Sequence, residues 1–183
     1  MAIKTFTTGE VLTASDTNTY LANSGLVYIK QQTVGATVSS VTVSNAFSAD
    51  FDNYKIIYSG GTASSLNTLG MTIGGSSTGY YSIVHYSTYT SPTVLLSEGN
   101  NNTASWTFVG YGSANYTSLS IDLVNPFASL FTTYGAGAWP AVTVSGASAG
   151  IHQVATSYTS FAITSVSGTI SGGTIYVYGY RKA

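Results

Sequence analysis

The sequence predicts an all-β protein: an antiparallel β-sandwich, jelly-roll-like, with a short N-terminal arm that carries a helix. Three observations point there. From Leu26 to Arg181 apolar and polar residues alternate with a period near two, as half-buried strands require. The alternating runs are short, and Gly, Asn, Ser or Pro bound them at spacings that suit a sandwich or barrel. Aromatic and β-branched residues are plentiful, with 15 Tyr among 183 residues, which separates this Ser-, Thr-, Gly- and Asn-rich chain from disordered low complexity. The length suits one domain with an appendage. The chain is read as an anchoring arm over 1–25 and a β-body over 26–183.

The arm begins extended, with Ile3, Phe6 and Val11 spaced by Thr and Gly. Thr13 suits a helix N-cap, and Asp16 stands three residues on, the T-x-x-D form of a capping box. Asp16 also lies where the helix dipole favours negative charge. A helix over 14–23 is expected, stopped at Ser24-Gly25, where glycine takes the left-handed position. Tyr20 and Leu21 are its main apolar contacts. So short a helix is marginal alone and needs something to lie against.

In the body, strands are expected over 26–33, 38–44, 53–59, 69–75, 80–89, 93–97, 104–112, 117–124, 141–145, 160–167 and 173–181. Loops are expected over 60–65, 74–79, 97–102, 112–116 and 134–140. In "TSLSIDLV" Leu119, Ile121 and Leu123 point one way, while Ser118, Ser120 and Asp122 point the other. In the last strand Tyr176, Tyr178 and Tyr180 share one face, and Ile175 and Val177 share the other. A strand that is large on both faces is covered on both sides, or its Tyr face meets another subunit.

Charge narrows the function. Charged residues make up 6% of the chain, against about 25% in ordinary domains. Between Ile56 and Tyr180 the only ones are Glu98 and Asp122. Nucleic acid and anionic membrane surfaces are therefore not expected partners. No apolar run is long enough to span a membrane, and the N-terminus carries Lys4 but no apolar signal core. With no cysteine, thiol catalysis, thiolate metal sites and disulfides are excluded. A surface so poor in charge tends to associate, so the body is expected to be covered by neighbours in an assembly.

Few groups could do chemistry. Asp50 and Asp52 stand two apart in "SADFDNY", the spacing of a carboxylate pair or part of a calcium site, but they fit better as loop residues that cap backbone N–H groups. His85 and His152 have no third metal ligand near them in sequence. Neither a G-x-S-x-G elbow nor a phosphate loop is present. No catalytic residue, metal or cofactor is expected. Aromatics supply the positive signal. Tyr80, Tyr81, Tyr86, Tyr89, Tyr111, Tyr116, Tyr134 and Trp139 lie in or beside loops, and Tyr among Ser, Gly and Asn makes an adaptable contact surface. The competing reading is that most of them fill a wide core or a subunit interface.

One resemblance adds to these readings. "FTTGEVLTASDTNTYLANSGLVYI" (6–29) resembles the opening segment of many tailed-bacteriophage structural proteins, in which F-x-x-G-E-V-L-T-A-S-D-x-N-x-Y-L leads into the first strand. "FDNYKIIYSG" (51–60), "SLSIDLVNPFAS" (118–129) and "GGTIYVYGYRK" (172–182) resemble strands of a β-domain common in marine and cyanobacterial phage virion proteins. Residues 61–116 have no counterpart in it. The resemblance implies a non-enzymatic virion protein, homotrimeric, made in the host cytoplasm without a signal peptide and displayed on the particle surface. It would be a tail-fibre or baseplate-associated appendage, possibly contacting a host surface glycan or protein; the alternative is a capsid decoration or head-fibre protein, and a carbohydrate-active enzyme is a distant third. The arm would dock on other virion proteins through Phe6, Val11, Leu12, Tyr20 and Leu21.

Overall fold

Side chains on a strand alternate between its two faces, so a strand with a Leu-Ile-Leu row on one face needs a core under that face only. The computed structural model, which describes residues 7–17, 25–137 and 139–182, is built almost wholly from such strands. They are β1 (Leu26–Thr33), β2 (Ser40–Val43), β3 (Phe51–Ser59), β4 (Thr62–Ala63), β5 (Asn67–Ile73), β6 (Tyr80–Thr88) and β7 (Ser91–Thr103). After these come β8 (Trp106–Ser113), β9 (Tyr116–Val124), β10 (Thr132–Ala136), β11 (Val144–His152), β12 (Phe161–Ser165), β13 (Ile170–Ser171) and β14 (Thr174–Arg181). Every pairing among them is antiparallel.

The all-β antiparallel class holds. The hydrogen bonding joins 12 strands into one branched sheet, with β13 and β4 as a separate ribbon, so the expected pair of independently bonded sheets is replaced by a single sheet that divides. The division is at β9. One edge of β9 pairs with β3 from Leu119 to Val124. The other edge pairs with β8 up to Leu119 and with β10 from Asp122 onward. One branch continues from β8 through β5 and β12 to β2, and the other from β10 through β11 and β6 to β7. Beyond β3 lie β14 and β1.

The inward faces meet in one core. Tyr54, Ile56 and Tyr58 of β3, Leu119, Ile121 and Leu123 of β9, and Ile175 and Val177 of β14 are buried with Leu69, Met71 and Ile73 of β5 and Phe161 and Ile163 of β12. Between the branches sits an aromatic wedge. Trp106 lies 4.9 Å from Tyr134 and 5.2 Å from Tyr80, ring centre to ring centre. The indole N–H of Trp106 donates to the Ile151 carbonyl at 3.2 Å, and the Ser148 hydroxyl donates to the Phe108 carbonyl at 2.5 Å. Both bonds tie β8 to β11, which belong to different branches. Gly150 makes room for the wedge: a Cβ there would stand 2.5 Å from Tyr134 Cε1 and 2.9 Å from Trp106 Cδ1.

The outward faces give a second pattern. One row of register partners crosses eight strands: Tyr28, Tyr178, Lys55, Asp122, Gly135, Ala149, Ile83 and Gly99. None of the eight is buried. The tyrosine face of β14 is thus left uncovered by the rest of the chain, with Tyr176 and Tyr178 half-buried and Tyr180 exposed.

Several local expectations are corrected. Residues 97–102, expected as a loop, belong to β7, because five consecutive pairings with β6 hold Leu96 to Asn100 in register. The strand expected over 141–145 runs instead over Val144–His152, a Gly- and Ala-rich stretch whose small residues hide its periodicity. The loop expected over 134–140 begins as β10. In the arm the capping box forms, with the Asp16 N–H donating to Thr13 Oγ1 and the Thr13 N–H donating to Asp16 Oδ2, each at 3.1 Å. The helix it caps, α1 (Ala14–Asp16), is a single turn that buries no residue. The rest of the expected helix, with Tyr20 and Leu21, and also Phe6, lies outside the described residues.

The wedge yields a direct test. Gly150→Ala should cost about 1–3 kcal/mol, since the added methyl overpacks Tyr134 and Trp106. Gly137→Ala, where a Cβ meets nothing within 4 Å, should stay within about 0.5 kcal/mol of the parent. Urea denaturation of both variants measures the difference.

Candidate functional site

The eight aromatics singled out in the sequence divide into two groups. Tyr80 and Tyr134 are core residues, which corrects their reading as surface contacts. Both lie at inward register positions: Tyr80 is paired with His152 and Tyr134 with Gly150. The Tyr80 hydroxyl accepts the Ile73 N–H at 2.8 Å and donates toward the Ser76 carbonyl at 3.2 Å. Burial pushes the Tyr134 hydroxyl up to about 12.

The other group converges on Trp139. Tyr111, Tyr86 and Phe108 stand around its ring at 5.2, 6.0 and 6.3 Å. Its indole N–H donates to the Gly110 carbonyl at 3.1 Å. Tyr116 and Tyr89 close over the same loop, with their hydroxyls 3.4 Å from the Pro140 carbonyl and 3.3 Å from the Ala141 carbonyl. Trp139 itself is buried, a second correction, because its large ring fills the space between β8 and β6. Tyr86, Tyr111 and Tyr116 are half-buried, and only Tyr89 is exposed. They form the rim of a satellite core. The hydrogen bond that Tyr86 gives Glu98 Oε1, at 2.6 Å, raises the phenol above its ordinary value.

Tyr81 stands apart from both groups. With Ile83, Asn100, Ala149 and Ile151 it lines a hollow of about 360 Å³ on the outer face, at the β11–β6–β7 end. Sequence reasoning missed this hollow, since three strands distant in sequence assemble it. The alternation in "YYSIVHY", which sends Tyr81 and Ile83 outward together, was the available signal.

Each body carboxylate has a structural partner. Asp50 accepts from the Ser48 hydroxyl at 2.9 Å, and Asp52 pairs with Lys182 at 2.7 Å. Asp122 pairs with Lys55 at 3.1 Å and accepts from the Tyr180 hydroxyl at 2.5 Å. That bond to a carboxylate, more than burial, holds Tyr180 up at about 12. Among the described residues no three or more His, Cys, Asp or Glu gather as a metal site, and no helix is long and apolar enough to cross a membrane. In the arm, Val11 and Leu12 are 78% and 50% exposed. Comparison with family models, with curated proteins and with solved structures finds no match to this chain.

His152 is the titratable group with the clearest consequence. It is fully buried, 4.3 Å from the Tyr80 ring and 5.5 Å from the Tyr158 ring. Its Nε2 lies 3.0 Å from both Ser76 Oγ and the Thr78 carbonyl, whereas Nδ1 has no protein partner. Burial lowers its pKa below the ordinary 6.5, against a weaker upward pull from the Thr78 carbonyl. The unfolded chain therefore binds this proton more readily than the folded one. The stability due to neutral His152 is complete above about pH 6.5 and is lost as pH falls from there through the folded value. His152→Asn should flatten this slope. Urea midpoints of parent and variant between pH 7.5 and 5 provide the check.

Proposed function

We propose that this protein is a non-enzymatic structural component of a tailed-bacteriophage particle. In this reading it is a tail-fibre or baseplate-associated appendage, docked by its N-terminal arm on neighbouring virion proteins and presenting its β-body toward the host surface, where a glycan or protein is met. Copies associate as a homotrimer.

The observation that carries the proposal is the arm. The segment that most resembles a virion-protein opening is also the one whose apolar side chains, Val11 and Leu12, are given no cover by the body. Exposed apolar side chains beside a one-turn capped helix suit a segment that orders fully against a partner, where it can wrap a large surface. The body adds support. Its carboxylates are engaged as structural partners, so general acid–base chemistry would have to break contacts that hold strands together.

A chain beginning at Gly25 should keep its β-sheet circular dichroism but no longer co-sediment with particles that lack the protein. The double change Val11→Ser and Leu12→Ser should weaken docking by roughly two orders of magnitude or more, since each buried side chain of this size contributes about 1.5–3 kcal/mol. Cross-linking of the full chain to tail or baseplate proteins is the expected readout, and capture on the major capsid protein would reassign it to the shell. Equal co-sedimentation of the truncated and full chains would place the anchor in the body and end the proposal.

A further inference from the structure

The outer face of the sheet is asymmetric from one end to the other. At the β1–β14 end it carries a ridge: Tyr28 is 54% exposed and packs edge-on against Tyr178, ring centres 5.9 Å apart, with Tyr180 beside them. At the β11–β6–β7 end the same row of register partners turns small, through Gly135, Ala149 and Gly99, around the hollow that Ile83 and Tyr81 line. The row's two charges, Lys55 and Asp122, stand between ridge and hollow and neutralise each other. The remaining oxygen of Asp122 is taken by Tyr180.

We infer that copies of this chain associate through this face, the tyrosine ridge of one copy seated in the hollow of the next. Three properties select a second copy as the occupant. The face holds its own complement, bulk at one end and space at the other, so a copy with reversed strand order matches it. The row carries no unpaired charge, so bringing two copies together incurs no like-charge repulsion. The size also fits. Eight strands spaced about 4.8 Å apart, over about 20 Å of strand length, make a face of roughly 700 Å², close to the ~800 Å² per partner of a stable interface. Passed from copy to copy around a three-fold axis, the contact builds the trimer proposed above. The inference deepens that reading by naming its surface, and it rests on the sheet geometry, not on the virion assignment.

The test uses the full chain and three variants: Tyr28→Asp on the ridge, Ile83→Lys in the hollow, and both changes together. Both positions are exposed in the single chain, and thermal unfolding followed by circular dichroism confirms that each variant folds. Sedimentation velocity should show the parent as an oligomer and each single variant about a hundredfold weaker in self-association, because each buries an unpaired charge. In the double variant Asp meets Lys across every contact, and association should return to within about tenfold of the parent. A monomeric parent would overturn both the homotrimer and this contact. Single variants that assemble like the parent, or a double variant that stays dissociated, would overturn this contact alone and leave self-association to another surface.

Discussion

A strand has two edges, and in this molecule one edge of β9 is asked to serve two neighbours. β8 takes its first half and β10 its second. Two strands cannot occupy the same edge, so they part where the bonding changes hands, and the sheet divides into layers. The buried row of Leu119, Ile121 and Leu123 lies under that fork. Everything else follows from how the fork is filled. The gap takes Trp106, Tyr134 and Tyr80, and hydrogen bonds from Trp106 and Ser148 then sew β8 to β11 across it. Polar atoms buried in such a gap need partners. The side-chain-to-backbone bonds meet that need without a buried charge.

This arrangement explains which parts of the structure were legible in the sequence. Strands with a strict period, such as "TSLSIDLV" and "GTIYVYGYR", are found where the alternation puts them, with the apolar row inward. Strands made of small residues were not legible. In β11 the inward positions include Ser148 and Gly150, chosen by the bulk of Tyr134 and Trp106 opposite, and a glycine selected by a distant ring leaves no mark on local hydropathy. The same coupling misled the reading of the aromatics. Tyr80, Tyr134 and Trp139 neighbour loops in sequence but fill space between layers. The capping box of Thr13 and Asp16 was legible because both its bonds are local. The hollow beside Tyr81 was not, since it takes strands separated by more than 60 residues.

The few charges in the body are placed with the same economy. Lys55 and Asp122 face each other across β3 and β9, and Lys182 reaches Asp52 at the start of β3. Such half-exposed pairs contribute little stability on their own. Their effect is on register: each is a polar event on the outward side of a strand, and a one-residue slip would turn it into the core. Stability comes instead from the aromatic and β-branched interior, which no disulfide assists.

A surface covered by hydroxyls and amides has a further property. Salt acts on proteins mainly by screening charges that lie apart, over a distance of about 10 Å at 0.1 M. In this body the oppositely charged side chains already touch, and long stretches between them carry no charge to screen. Contacts made by tyrosine, serine and small apolar residues answer to surface area and hydrogen bonding, which ionic strength barely alters. The molecule is therefore built to hold its shape and its contacts alike in fresh and in saline water.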